Sequence, residues 1–360
     1  MLNVITPINQ LGYGITGLNI LKALSKQIEV SLWPIGQANV TCQEDADVCS
    51  HAIKNAKYFD SQAPCLRIWH QFDMAMFVGN GPHIGFPIFE LDEFNSVEKH
   101  HLASLDKVFV CSEWAKNVII KNIWPIKEVP TYVVPLGVDQ TTFSSGNLFT
   151  DIPKTNSDTI FFNCGKWEVR KGHDILIKAF KEAFNENDNV QLWMMTNNPF
   201  LSEEEAQQWV SMYQQDGFCQ KKVKLISRVE TQQEVYNIMS QSDCGVFPSR
   251  GEGWNLEAIE MLSCGKQLII TNYSAHTEFC DEKNSKLISI DETEPAYDNK
   301  WFHGQGSWAK MGESQLNQLI QHMKNVHKET QTKRTRNYFG INTANKFSWE
   351  NSAKKILEYV

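Results

Sequence analysis

The chain lacks the marks of several common protein classes. Its nine cysteines form no C-x-x-C pair and no Cys/His cluster of zinc spacing, which removes the usual structural zinc sites. No stretch approaches the roughly 20 consecutive apolar residues that a transmembrane helix requires. The opening residues, Met1-Leu2-Asn3-Val4-Ile5-Thr6-Pro7, have no basic lead and too short an apolar run for a signal peptide. Positive charge is not in excess: 34 Lys and Arg against 42 Asp and Glu give a net charge of −8, against the basic field of a dedicated nucleic-acid binder. There is no internal repeat and no low-complexity tract. Cysteines set in apolar runs, odd in number, read as reduced and mostly buried thiols. A cytoplasmic protein is expected, at most peripheral to a membrane.

What is present is enough apolar material for two cores. At 360 residues, 42% of them hydrophobic, the chain suits two domains better than one. Short apolar runs alternate with helix-like segments. Leu2–Thr6, Glu29–Leu32, Leu66–Trp69, Ile84–Phe89, Lys107–Cys111 and Tyr132–Pro135 read as strands. Gly12-Tyr13-Gly14-Ile15-Thr16-Gly17 reads as a glycine turn before a helix. A polar stretch, Phe143–Ser157, is the linker candidate. Alternation then restarts with Thr159–Asn163, Asp174–Phe184, Val190–Met195, Val223–Ile226, Glu234–Ser240, Gly245–Phe247, Leu256–Cys264 and Gln267–Thr271. Helix patterns close the chain at Ser314–Val326 and Trp349–Val360. The expected class is α/β, with two Rossmann-like doubly wound domains facing a cleft, over 1–145 and 155–345. The helix at about 346–360 is expected to pack back on the first.

Two segments carry the chemistry. In Pro248-Ser249-Arg250-Gly251-Glu252-Gly253-Trp254-Asn255-Leu256-Glu257-Ala258-Ile259-Glu260, a strand leads through a turn into a helix, with two acids bracketing the start. A helix N-terminus offers unpaired N–H groups and the positive end of its dipole to an anion. Carboxylates suit hydroxyl groups. In Asn163-Cys164-Gly165-Lys166-Trp167-Glu168-Val169-Arg170-Lys171-Gly172-His173-Asp174, three cations within six residues follow a strand and precede a helix, where they can neutralise a diphosphate. Phosphates and hydroxyls read together suggest a nucleotide sugar.

Gly165-Lys166…Lys171-Gly172 with Ile175-Leu176-Ile177-Lys178-Ala179-Phe180 resembles the "GR…KG…LI-AF" block of GT-B glycosyltransferases of the family 4 type, also called glycosyl transferases group 1. Pro248-Ser249…Glu252-Gly253-Trp254-Asn255-Leu256…Glu260 resembles their E-x7-E block. Asp106–Trp114 and Val133–Asp139 resemble the passage that closes their first domain, and Phe347-Ser348-Trp349-Glu350 their late "fsWe" pattern.

The resemblance implies a retaining glycosyltransferase that moves a sugar, of hexosyl type, from a nucleotide diphosphate donor to an acceptor hydroxyl on a glycan, a lipid-linked glycan or another molecule. It implies no cofactor and no metal. Lys166, where the family has Arg, and Lys171 would bind the donor diphosphate. Glu252 would hold donor-sugar hydroxyls and Glu260 the ribose, while the backbone of Gly253, Trp254, Asn255 and Leu256 cradles phosphate and sugar. Trp254, Asn255 and Glu257 depart from the family's Phe, Gly and Pro. Arg228, in Ser227-Arg228-Val229, falls where the family contacts the base, and Gly14 in its first-domain glycine loop. His70 is the candidate for a catalytic contact near the anomeric carbon, beside Lys171 and Glu252, and Glu90 and Asp92 are acceptor-side candidates. Asp45-Ala46-Asp47 has a D-x-D form but reads as surface charge, and Lys99-His100-His101 as a solvated helix face. The alternatives are a GT-B nucleotide-sugar epimerase or hydrolase, and a non-catalytic nucleotide or glycan binder on the same scaffold.

Overall fold

A computed structural model describes residues 1–124, 126–146, 152–153, 158–331 and 333–360. It divides into two compact units, Met1–Val138 with Lys346–Val360, and Asp139–Asn345. The division falls ahead of the polar stretch 143–157, of which 147–151 and 154–157 lie outside the described residues.

The first unit is built on six strands: β1 (Leu2–Thr6), β2 (Val30–Pro34), β3 (Cys65–Trp69), β4 (His83–Pro87), β5 (Lys107–Val110) and β6 (Thr131–Val133). All pair in parallel, in the order β2-β1-β3-β4-β5-β6. Parallel strands need crossovers, and the helices α1 (Gly12–Ser25), α2 (Gln43–Asn55), α3 (Ser96–Ala103) and α4 (Glu113–Ile123) supply several of them. Most strand positions are buried because helices cover the sheet; β1 is buried at every position. A cluster of Phe89, Phe94, Leu102, Val108, Val118 and Ile119 packs α3 and α4 on the sheet. The last helix, α12 (Trp349–Tyr359), belongs to this unit: Ser352 Oγ donates to the Pro135 carbonyl at 2.7 Å, and Tyr359 stacks on Tyr132 with ring centroids 4.1 Å apart.

The second unit repeats the plan. After the short β7 (Ile152–Pro153) come β8 (Thr159–Gly165), β9 (Val190–Thr196), β10 (Val223–Leu225), β11 (Cys244–Phe247), β12 (Gln267–Thr271) and β13 (Lys286–Ile288), parallel in the order β10-β9-β8-β11-β12-β13. The helices are α5 (His173–Ala183), α6 (Glu203–Tyr213), α7 (Gly217–Lys222), α8 (Gln232–Met239), α9 (Leu256–Ser263), α10 (Glu313–Thr330) and α11 (Tyr338–Ala344). Phe161, Leu176, Phe180, Leu192, Val246, Ile269, Leu319 and Met323 form the core between the sheet, α5 and α10. An antiparallel hairpin, β14 (Thr293–Tyr297) and β15 (His303–Ala309), sits between β13 and α10, and β16 (Lys333–Arg334) pairs with β7.

Two local expectations are corrected. The run Gly12–Gly17 is not a turn but the opening of α1. A Cβ on Gly14 would stand 2.3 Å from Asn9 Oδ1 and one on Gly17 2.3 Å from Thr6 Oγ1, so the missing side chains let the helix close on the end of β1. The face Lys99-His100-His101 is not wholly solvated: His101 Nδ1 accepts from the N–H groups of Met74 and Ala75 at 3.3 and 3.1 Å. Asp45 of the D-x-D lies on α2 and pairs with Lys22 at 2.6 Å.

Candidate functional site

In an open parallel sheet, ligands bind beyond the carboxyl ends of the strands where the strand order reverses, because the two neighbouring loops there turn opposite ways. In the second unit that reversal lies between β8 and β11. The loops leaving these two strands are the cationic segment and the Glu252 segment.

The two loops are bonded to each other. Arg250 N–H donates to the Arg170 carbonyl at 2.7 Å, and Arg250 Nη1 to the Val169 carbonyl at 2.6 Å. Arg250 also forks onto Asp174, with both contacts at 2.8 Å. Gly172 caps α5 with φ of +72°, and a Cβ there would lie 2.0 Å from the Pro248 carbonyl oxygen. A side chain at 172 is excluded by backbone and by space together.

Between the loops lies a buried chain of charges. Glu168, Arg170, Lys171 and Glu252 are each less than a tenth exposed. Glu168 takes Lys166 at 3.1 Å on one oxygen and Arg170 on the other. Glu252 takes Arg170 at 2.8 Å and Lys171 at 2.8 Å. Burial alone pushes both carboxyls up, but the neighbouring cations, Arg170 foremost, more than offset it and hold both below their usual range. Burial likewise disfavours the Lys171 charge, and Glu252 and Glu257 override it, so Lys171 stays an ammonium. Glu252, which the resemblance assigns to donor-sugar hydroxyls, thus stands between two cations.

The start of α9 is shaped by Asn255, whose φ of +88° places it in the left-handed region. Asn is among the few side chains that tolerate this, which explains why it can stand where the resembling family has Gly. Its side-chain oxygen caps the helix by accepting from Ala258 N–H at 3.1 Å. Its amide nitrogen lies 2.9 Å from His276 Nε2, and His276 Nδ1 lies 3.0 Å from the Thr271 carbonyl. Those partners assign the proton to Nδ1 and the acceptor role to Nε2. Burial lowers this imidazole to about 4, so it is neutral. Trp254 is 2% exposed and its indole packs on Phe279. Glu260 is buried in the helix; burial, then Glu257 and Asp139, hold its carboxyl well above the usual value.

Behind the cationic loop, His173 bonds Asn163 Oδ1 at 3.1 Å and accepts from Glu168 N–H at 3.3 Å, and Asn163 donates to the Val246 carbonyl at 2.7 Å. This ties the ends of β8 and β11 together. Arg228 is exposed on the loop after β10, the edge strand, away from the reversal.

In the first unit the order reverses between β1 and β3. Tyr13, on the first turn of α1, accepts from Ile88 N–H at 3.0 Å and reaches the Trp69 and Ile88 carbonyls, so the ends of β3 and β4 meet at one phenol. His70 follows β3 and is ringed by Tyr13, Trp69 and Phe72, with centroids 4.7, 4.7 and 5.1 Å away. Burial, then the Glu90 charge, raises the Tyr13 hydroxyl. Gly14, His70 and Glu90 each follow the carboxyl end of a strand, β1, β3 and β4. Asp92 lies further on, its carbonyl accepting from Asn122 at 3.1 Å.

Residues 158–298 match the model of glycosyl transferases group 1. The match lies within the second unit. A curated relative, named "Putative glycosyltransferase 45", from Sulfolobus islandicus filamentous virus, is 22% identical over 205 residues, 56% of this chain. The match spans about half of that relative, 51% of its length. Sucrose-phosphate synthase from Thermosynechococcus elongatus superposes over 99% of this chain and 97% of its own with a TM-score of 0.70 at 16% identity. Anabaena HepE, solved with UDP and glucose, covers 99% and 98% with a TM-score of 0.66 at 14% identity. At such identities the likeness establishes the fold: the chain has the two Rossmann-like domains of the GT-B class.

Within the second unit, sequence reasoning missed Glu168, Asn163, Arg250 and His276. Arg170 stood in view only as one of three cations able to neutralise a diphosphate. The readable signal was the alternation Lys166, Glu168, Arg170, which sets opposite charges two apart in one short loop. Among the described residues no three His, Cys, Asp or Glu side chains gather as a metal site, and no helix is long and apolar enough to cross a membrane.

Proposed function

We propose that this protein transfers a sugar, of the hexosyl type, from a nucleotide diphosphate sugar to an acceptor hydroxyl with retention of anomeric configuration, and without a metal. The observation that carries the reading is the pairing of Lys171 with Glu252 beside the start of α9, at the strand-order reversal of a group 1 glycosyltransferase unit. Lys166 and Lys171 neutralise the leaving diphosphate together with the first N–H groups of α9, the work that a divalent cation does elsewhere. That stabilisation weakens the anomeric bond, the acceptor hydroxyl attacks the same face, and a departing phosphate oxygen takes its proton. Glu252 orients donor-sugar hydroxyls, and Glu260 meets the ribose hydroxyls. Arg228 lies by the base. From the first unit, Gly14 faces the donor, His70 assists at the anomeric carbon, and Glu90 and Asp92 meet the acceptor. HepE with UDP and glucose supports a uridine diphosphate donor as the first to try. All nine cysteines are free thiols, which supports a reducing, cytoplasmic setting.

The deciding experiment incubates the protein with UDP-glucose and other nucleotide sugars, with and without a pool of hydroxyl acceptors. Sugar on the acceptor with unchanged anomeric configuration is the expected product. Sugar inversion without acceptor would assign an epimerase, and donor binding without turnover in any pool would assign a binder.

A further inference from the structure

Glu252 is shared by two cations that are held in different ways. Arg170 is fixed: Nε and Nη2 donate to Glu168 Oε2 at 3.1 and 2.8 Å, and Nη1 donates to the Gly251 carbonyl at 2.7 Å and to Glu252 Oε2 at 2.8 Å. Lys171 reaches Glu252 Oε1 at 2.8 Å with one ammonium, on a stem that runs past Gly165, where a Cβ would lie 3.4 Å from Lys171 Cε. An ammonium on four carbons can swing to a new partner, whereas a planar fork seated on three acceptors cannot leave one without leaving all.

On the diphosphate reading of this site, we propose that Arg170 is a positioning residue that keeps Glu252 paired and aimed when Lys171 leaves it for the diphosphate. A diphosphate carries more charge than a carboxylate and draws the ammonium toward itself. Glu252, 4% exposed, would then be a buried carboxylate with a lost partner, a costly state. Arg170 removes that cost because its hold on Oε2 is independent of Lys171. It acts on ligand affinity without touching the ligand. Glu168 in turn keeps Arg170 in place, and Lys166 completes the charge balance at the far end.

The test is a double-mutant cycle read with inorganic pyrophosphate, which carries the diphosphate of every such donor and no base or sugar. Calorimetric titration of the wild type, Arg170→Gln, Glu252→Gln and the double variant gives four affinities. Arg170→Gln is expected to weaken pyrophosphate at least tenfold, because Glu252 then has only Lys171 and does not release it. Glu252→Gln is expected to bind as well as the wild type or better, and the double variant to stay within about twofold of Glu252→Gln. A purely structural role would weaken binding equally in both backgrounds, and that result, or no weakening at all, overturns the proposal. Should Arg170→Gln fail to fold by thermal melt, Arg170→Lys runs the same cycle: it keeps a charge and loses the fork, and its several-fold weakening must vanish in the Glu252→Gln background. Wild type that binds no pyrophosphate would sink the diphosphate reading itself, an outcome distinct from binding that is present but uncoupled.

Discussion

Both units are six-stranded parallel sheets, but their strand orders differ, with one strand outside the reversal in the first and two in the second, and they finish those reversals with different materials. In the second unit the edge is made of charge: two acids and two cations, all buried, each balanced by the next. In the first it is made of rings and one phenol, with His70 among Tyr13, Trp69 and Phe72. Its nearby ion pair, Arg67 with Asp73 at 2.7 Å, closes the loop after β3. A ring cluster is held by many weak contacts and loses them one at a time. A chain of buried charges loses its balance with the first member removed.

The largest expected effect breaks the charged edge at its ligand end. Lys171→Ala should lower turnover by about 10²–10³-fold, the cost of removing one preorganised stabiliser of a leaving group, and Glu252 stays paired with Arg170 so that the fold survives. Wild-type turnover in a folded Lys171→Ala protein would remove this residue from the site. Next comes the spacing of the two loops. Gly172→Val faces both a positive φ and the Pro248 carbonyl, and should cost about 2–3 kcal/mol in chemical denaturation, with diphosphate affinity falling alongside. An unchanged midpoint would show that the loops are not locked together there.

Smaller effects separate helix capping from side-chain chemistry. Asn255→Ala should cost about 1–2 kcal/mol, and Asn255→Gly only a few tenths, since Gly accepts the left-handed backbone and loses the cap alone. Equal costs would mean that the backbone angle is not what the site demands. In the ring-lined edge, His70→Ala should lower turnover about tenfold, roughly 1.4 kcal/mol, with no change in pyrophosphate affinity. A loss as large as that of Lys171→Ala would make the two edges equal in weight.

The smallest signal is in acid. His276 sits at about 4 when folded against an ordinary 6.5, because burial disfavours its charge. Below pH 6.5 the unfolded chain binds a proton that the folded chain refuses, so stability falls as pH drops from about 6.5 to about 4 and this contribution then levels off. His173, lowered to about 3 for the same reason, extends the fall further. His276→Gln should flatten the upper part of a plot of melting temperature against pH; an unaltered slope would show that the imidazole is not refusing its proton.

What was readable in the sequence followed burial. β12 begins and ends where the apolar run Gln267–Thr271 does, because Gly265 stops the preceding helix and both faces of the strand are covered. The helix α6 was missed although Ser202 and Glu205 form a capping box, since Tyr213 is its one fully buried side chain and no apolar stripe forms. The hairpin β14–β15 was missed because a register shift between Pro295 and Tyr297 breaks the alternation that marks a strand. At the site, the residue types were legible and their partners were not. Arg170 and Glu252 are 82 positions apart, and nothing short of the fold joins them.

Val138 donates its N–H to the Phe347 carbonyl at 3.0 Å, and Gln140 donates to the Ala344 carbonyl at 3.0 Å. The chain therefore leaves the first unit and re-enters it at neighbouring points of its backbone. Cutting both there yields the second unit as one uninterrupted gene segment, and a few residues of linker suffice to splice the ends of the first back together.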